Sequence, residues 1–269
     1  MMKIDSPTTQ SAKTTDRRGN SMRLGSIHLA RQDANLVKLV TYNLHKGRSS
    51  LRRNTMARIA AALAELAPDL LFCQELFEDR RKQENSCKLL AEALEHGHAF
   101  GPNAFYRRGC HGNATFSRLR LATHRNVDIS QSQLERRGIL HTSLDDEQGR
   151  IETFNLHFSL TRRQRRKQWR QLRDCLPEHS KVPVIIAGDF NDWSGEIDRQ
   201  ARRAGLIENA LWGLAPRQRH SFPAKHPIFA LDRVYLRGFE VLSARVLRGR
   251  PWSALSDHLP IEVELERKP

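Results

Sequence analysis

Several stretches of this chain run from apolar residues straight into acids, amides or imidazoles, and one kind of chemistry suits them all. Val184, Ile185, Ile186 and Ala187 stop at Gly188, and Asp189, Asn191 and Asp192 follow. The same change occurs at Asn43, at Gln74-Glu75, at Asn155 with His157, and at Asp257 with His258. Asp232 interrupts the otherwise apolar segment Leu231-Asp232-Arg233-Val234-Tyr235, and a buried acid there needs a partner for its charge, naturally a histidine. Any one of these alone reads as a strand followed by an Asx-rich turn. Together, at the rim of one inferred core, they fit a single pocket of oxygen ligands and imidazoles. Carboxylate and amide oxygens favour Mg²⁺ or Mn²⁺. Two imidazoles can stabilise charge on phosphoryl oxygens while a carboxylate orients and deprotonates water. The set points to a hard divalent cation and a phosphate ester.

The elements that must carry these residues follow from periodicity. Val37–Tyr42 and Leu70–Cys73 read as buried strands, separated by a helix from Asn54-Thr55 to Ala67 that Pro68 and Asp69 break. A second helix is expected from Asn85 to His96, closed by Gly97. Short strands follow around Ala99–Phe105, Asn113–Ser117, Leu121–Ser130, Arg137–Thr142 and Arg150–His157, with a hairpin turn over Asp145–Gly149. A helix from Thr161 to Leu176 precedes the Val184 strand, and a short one near Glu196–Ala204 follows it. The last third gives strands near Ser221, Phe229–Tyr235, Val241–Arg248 and Leu259–Glu264. This order predicts an α/β fold of two packed sheets flanked by helices. Residues 1–35 lack apolar periodicity and read as a mobile tail, leaving 36–269 as one domain with no linker or repeat inside it.

Composition bounds the partners. Lys and Arg outnumber the acids 45 to 30, a formal charge of +15, which favours nucleic acid, an anionic phospholipid surface or a phosphorylated small molecule. The alternative reading is an Arg-rich composition without functional meaning. No apolar run is long enough to span a membrane and no secretory h-region is present, while four cysteines without a C-x-x-C pair suggest a reducing, cytoplasmic compartment. Neither a G-x-S-x-G elbow nor a Walker A loop supports acyl transfer or nucleotide triphosphate binding.

TYNLHKG, PDLLFCQEL, HGNATFSR, NLHFSL, GDFNDW, LDRVY and LSDHLPI, in that order from about Leu36 to Glu266, resemble the endonuclease/exonuclease/phosphatase superfamily of DNase I-like enzymes. The resemblance implies a four-layer α/β/β/α sandwich with its site at one end of the two sheets, and Mg²⁺-dependent cleavage of a phosphate ester. Residue by residue, it makes Glu75 the main metal ligand with Asn43 beside it, and Asp257 a second metal-side carboxylate. Asp189 would orient or deprotonate the water, and Asn191 would help hold the phosphate or the metal. His157 would contact the scissile phosphate, and His258, oriented by Asp232, would bind phosphate or act as acid/base. Asn113 would complete the network. The sequence departs from abasic-site enzymes in carrying Leu76-Phe77, without lysine, after the glutamate.

Nucleic acid is the first expectation for substrate, with a phospholipid or small phosphodiester second; a non-catalytic basic nucleic-acid-binding protein is the reading from outside enzymology. His45 and His111 read as loop residues, and Trp193 and Trp252 as core. Arg107, Arg108, Arg136 and Arg137 lie in loops that could grip a phosphate. Arg162, Arg163, Arg165, Arg166, Lys167, Arg170 and Arg173 make a basic helix, either an anion contact or a solvated face.

Overall fold

The computed structural model describes residues 36–81, 85–178, 182–205 and 207–268, so the tail predicted for 1–35 lies outside the described residues. Two six-stranded mixed sheets pack face to face. In the first, β1 (Leu36–Asn43) and β2 (Leu70–Asp79) are parallel and joined by α1 (Met56–Leu66). After α2 (Ser86–Leu94), β3 (Gly97–Tyr106) and β4 (Gly109–Ser117) form a hairpin beside β2. The chain then crosses to the second sheet with β5 (Arg120–Asp128), β6 (Gly138–Asp146) and β7 (Gly149–His157). There α3 (Arg162–Cys175) links β7 to its parallel neighbour β8 (Val184–Asp189). Next come α4 (Glu196–Ala204), a two-residue β9 (Glu208–Asn209) and β10 (Asp232–Arg237). Finally β11 (Phe239–Val246) and β12 (Ile261–Arg267) return to the first sheet. The strand orders are β11-β12-β1-β2-β4-β3 and β5-β6-β7-β8-β10-β9. Each sheet thus has a parallel pair at its centre, flanked by antiparallel strands. Among the described residues, no helix is long and apolar enough to cross a membrane.

Burial explains the strand compositions. Ile185 and Ala187 of β8 face the inter-sheet core, while Val184 and Ile186 face outward onto Trp169 and Leu172 of α3. A strand covered on both faces has no polar positions to alternate, which is why VIIA is a continuous apolar run. On the other side of the sandwich, Ile59, Ala60 and Leu63 of α1 and Leu90 of α2 join the core beneath the first sheet.

Some sequence expectations need correction. α2 starts as predicted, with the Asn85 side chain accepting from the Lys88 N–H, but Glu95 takes the left-handed C-cap position instead of Gly97. Gly97 instead opens β3, where an added Cβ would press on Leu121. No strand forms at Ser221 beyond a single bridge between Phe222 and Phe229, because the segment folds back on itself: the N–H groups of Ile228 and Phe229 both bond to the Phe222 carbonyl. The β6–β7 turn narrows to Glu147 and Gln148.

A polar seam crosses the core. Asn155, fully buried on β7, donates to the Cys73 carbonyl at 3.1 Å and the Ala114 carbonyl at 2.8 Å, and accepts from Gln74 Nε2 at 2.8 Å. Gln74 also reaches Thr41 Oγ1 at 3.1 Å, and Asn113 donates to the carbonyls of Gly138 and Asn155. Asn155, grouped with the pocket by its sequence position, therefore ties the two sheets together behind it. Replacing Asn155 with leucine removes three buried side-chain bonds between the sheets and takes an acceptor from Gln74, so equilibrium denaturation should show a loss of about 2–4 kcal/mol. A variant as stable as the parent would show that the seam does not hold the sheets.

Candidate active site

The strand ends converge. Asn43 ends β1, His157 ends β7 and Asp189 ends β8, with His157 and Asp189 side by side in the parallel register. Asp232 opens β10 directly opposite Asp189, and His258 sits in the turn before β12. Glu75 arrives by a different device. Between the pairs Cys73–Ala114 and Leu76–Gly112, β2 has two residues, Gln74 and Glu75, where β4 has only Asn113. This bulge turns Glu75 out of the ladder with φ of 53°, a left-handed conformation that non-glycine residues rarely adopt. Asn191, at φ 47°, and the 3-10 turn His45–Gly47, with φ of 45° at His45 and 58° at Lys46, share that conformation. Such backbone clusters where a site must be held in one geometry.

Asp189 is the hub. Its Oδ2 accepts from Asn43 Nδ2 at 3.1 Å and lies 3.3 Å from His157 Nε2 and 3.7 Å from His258 Nε2. Its Oδ1 accepts from the Asn191 N–H at 2.8 Å. The Asn191 amide donates to the Phe158 carbonyl and lies 3.1 Å from His157 Nε2. The other ring nitrogen of His157, Nδ1, lies 3.4 Å from Arg137 and 4.0 Å from Glu75. His258 Nδ1 bonds to Asp232 Oδ2 at 2.8 Å, and the same oxygen accepts from Ser221 Oγ at 2.5 Å. Asp192, the last acid of GDFND, serves the scaffold instead. Its oxygens accept from the N–H groups of Glu196 and Ile197 and cap α4.

Burial and neighbours set the charges. Burial raises the Asp189 carboxyl, and the balance of His258 against Asp232 leaves it at about 6. Burial works against a charge on His258, but Asp232, Asp189 and Asp257 outweigh it and raise the ring to about 10, so it is an imidazolium at neutral pH. His157 is pushed well below its ordinary value by burial, then by Arg137 and His258, and is neutral. Two imidazoles less than 4 Å from one carboxylate oxygen therefore carry different charges.

The carboxylates also divide. Asp189 is buried with donors on both oxygens, and Asp232 is buried with its bonds on Oδ2 and none on Oδ1, whereas the side chains of Glu75 and Asp257 stay 20% and 28% exposed. Asp189, Asp232 and His258 bring one potential ligand atom each within 4.8 Å of one another, an acidic cluster with the spacing of a metal site. In that trio Asp189 Oδ2 already accepts from Asn43, and Asp232 Oδ2 is shared by Ser221 and His258, so a cation at these oxygens would have to displace part of the network. Glu75 fits a hard cation better: its carboxylate accepts no hydrogen bond among the described residues, and the ring it faces at 4.0 Å is the neutral His157. Asp257 is partly open, its Oδ1 accepting from Ser256 Oγ at 3.3 Å with His45 at 3.7 Å and its Oδ2 without a hydrogen bond among the described residues. Asn43 gives its amide N–H to Asp189 and its carbonyl to the His45 N–H, which leaves one lone pair on that oxygen.

Several residues stand elsewhere than the sequence suggests. His111 is on β4, buried and stacked on Tyr106, and burial lowers it to about 4 despite Glu75 nearby. Trp193 is exposed, packed edge-on against Phe229 and Phe222, and Phe222 in turn leans on His258. Trp252 is in the core against Tyr42. Of the loop arginines, Arg137 reaches the network, while Arg136 pairs with Asp128. In α3, Arg162 and Arg166 are bound by Glu196 and Arg165 is buried on the carbonyls of Ser159 and Leu160, so only part of its charge faces solvent. Ser221, which fixes Asp232, carries no signal in the sequence.

Comparison with known proteins agrees with this architecture. The chain is 28% identical over 241 residues to the uncharacterized protein YbhP of Escherichia coli K12, covering 85% of this chain and 95% of that one. It shares its fold with an endonuclease/exonuclease/phosphatase of Beutenbergia cavernae, at TM-score 0.72 and 19% identity over 87% of this chain and 72% of that one. TDP2 of D. rerio, solved with a single-strand DNA product, has TM-score 0.67 and 17% identity over 86% of this chain and 99% of that one. The sequence model of the Endonuclease/Exonuclease/phosphatase family matches residues 40–258, and the chain belongs to that family.

Proposed function

We propose that the chain hydrolyses a phosphodiester in the presence of a divalent cation, Mg²⁺ or Mn²⁺, by attack of water on phosphorus. The observation that carries this reading is the arrangement around Asp189, where a buried carboxylate, a neutral imidazole and an imidazolium meet at one oxygen. A carboxylate near 6 is matched to taking a proton from water around neutrality. Asn43 and the Asn191 N–H hold it in one orientation. The imidazolium of His258, fixed by Asp232, offers positive charge to phosphoryl oxygens without needing to be protonated first. His157 turns Nδ1 to the open side, between Glu75 and Arg137, where a scissile phosphate would lie. Glu75, with Asn43 and Asp257, would hold the cation, which neutralises phosphate charge when bound.

The chemistry at this centre suits any phosphodiester. The basic charge and the fold shared with TDP2 support nucleic acid, whereas the loops around the mouth favour the lipid reading developed below.

Three outcomes test the centre. Turnover of bis(p-nitrophenyl) phosphate should vanish with chelator and return with Mg²⁺ or Mn²⁺, and Asp189→Asn should lower kcat by about a hundredfold to ten-thousandfold. Equal rates in parent and variant would remove Asp189 from the mechanism, and metal-independent binding of anions without turnover would leave a basic binding protein.

Glu75→Gly and Glu75→Ala should both be inactive, but in thermal unfolding the glycine variant should be the more stable by about 1 kcal/mol, since only glycine relieves the left-handed backbone.

For His258, the folded-state value lies above the ordinary 6.5, so its charge adds stability that is complete below about 6.5 and lost as pH rises through about 10. In metal-free protein its C–H resonances should stay at imidazolium positions through neutrality. Asp232→Asn should move that midpoint down, and an unchanged midpoint would refute the pairing.

A further inference from the structure

The large apolar side chains that the fold leaves exposed are not scattered. Among the described residues they lie, with the single exception of Leu242 on the edge strand β11, on loops or a strand terminus at the end of the sandwich that holds the site. Leu51 is at the tip of the segment between Asn43 and α1, which the Arg48–Asn54 bridge closes into a small hairpin. Phe105 and Tyr106 end β3 at the turn beside the part of β2 that continues past Glu75, with Tyr106 against Phe77 and His111. Leu134, fully exposed, occupies the β5–β6 loop whose Arg137 touches His157. Leu160 lies three residues after His157, and its N–H bonds to Glu135 of the Leu134 loop. Across the mouth, Trp193 and Phe229 pack on each other beside Ile228. Separate loops thus present apolar tips around one opening.

Cations accompany these tips. Arg52 and Arg53 follow Leu51, Arg107 and Arg108 follow Tyr106, Arg163 follows Leu160 by three, and Lys225 precedes Ile228 by three; all are exposed, and none pairs with a carboxylate among the described residues. Apolar tips interleaved with unpaired Lys and Arg suit the boundary between lipid headgroups and acyl chains, where the apolar group leaves water and the cation meets a phosphate. Half of the tips are aliphatic. Leu51, Leu134, Leu160 and Ile228 have no face to stack on a base and no donor for a phosphate, so a nucleic-acid track gives them no role. Nor do they form one contiguous patch of the kind that a protein partner covers.

We propose that this rim seats the protein on an anionic phospholipid surface, with the site facing the bilayer and a lipid headgroup phosphodiester as its substrate. The substrate half of this inference rests on the hydrolase reading above; the docking half does not. In the reaction, the water oxygen bonds to phosphorus, one P–O ester bond breaks, the alcohol departs with a proton, and a phosphomonoester remains. The rim serves the centre physically, because a bilayer pressed against the mouth excludes bulk water from the Asp189 network and presents headgroups at the depth of Glu75 and Arg137.

The experiment uses the full chain with vesicles of phosphatidylcholine alone and of phosphatidylcholine with phosphatidylglycerol. It compares the parent with Leu51→Ser/Leu134→Ser/Leu160→Ser, changes at exposed positions that the core does not use. Co-sedimentation should occur with the anionic vesicles, and the triple variant should bind at least about tenfold more weakly. The variant should keep the parent rate on bis(p-nitrophenyl) phosphate and lose turnover of vesicle phosphatidylglycerol. Failure to bind anionic vesicles, or binding that the leucine changes do not weaken, overturns the docking surface. Tight binding of single-stranded DNA in place of vesicles overturns it in favour of a nucleic-acid substrate. Vesicle binding without turnover of any diester would instead sink the hydrolase reading and leave the docking surface standing.

Discussion

A carboxylate buried at the meeting point of two sheets is the constraint on which this site depends. Asp189 is almost completely removed from water, and a lone charge there would cost several kcal/mol. Its donors come from both halves of the sandwich: Asn43 from the first sheet, and Asn191, with His157 beside it, from the second. The charge is therefore tolerable only when the sheets are in register. Neither contribution is complete, however. Burial still holds the carboxyl above its ordinary value, and that residual imbalance makes it a usable base instead of an inert ion-pair partner.

The shared strand order explains how both sheets deliver residues to one place. In each, a parallel pair connected by a helix sits at the centre, β1-α1-β2 in one and β7-α3-β8 in the other, and both pairs end at the same side. Asn43 and His157 occupy equivalent strand ends, and Glu75 and Asp189 follow on equivalent neighbours. The two acids have opposite surroundings. Asp189 remains within its strand and is filled by donors, while the bulge turns Glu75 into an open, partly hydrated position. One topology thus supplies a buried carboxylate held by donors and a partly exposed one that accepts no hydrogen bond among the described residues.

What can be read from the sequence follows from local physics. A strand buried on both faces is a run such as VIIA, and it must stop where the core stops, so Asn43, His157 and Asp189 are visible as polar groups at apolar ends. Glu75 is visible as an acid, but its bulge is not, because a bulge depends on what β4 places opposite. Trp193 departs from its expected place in the core, although an aromatic after a buried strand usually turns inward. Here the inward place is taken by Phe190, which packs on Phe158 and Tyr235. The basic helix is legible as a sum of charges and not as a surface, since the acid that binds Arg162 and Arg166 arrives from α4, some thirty residues later. The anchoring of Asp232 by Ser221 depends on a loop that folds back on itself, and no periodicity announces such a loop.

The division between strands and loops also divides the functional argument. Groups that must hold a fixed charge and distance stand on strand ends backed by the Asn155 seam, where packing allows one arrangement. Groups that meet the substrate's surroundings stand on loop tips, where side chains are tied by few contacts. An exposed leucine on a tip is unfavourable in water whatever the centre does, and a scatter of them would have no explanation beyond chance. Their confinement, Leu242 apart, to the end that carries Glu75 and Asp257 ties the rim to the centre: in the proposed reading the strands would determine which bond is hydrolysed, and the loops where the molecule finds it.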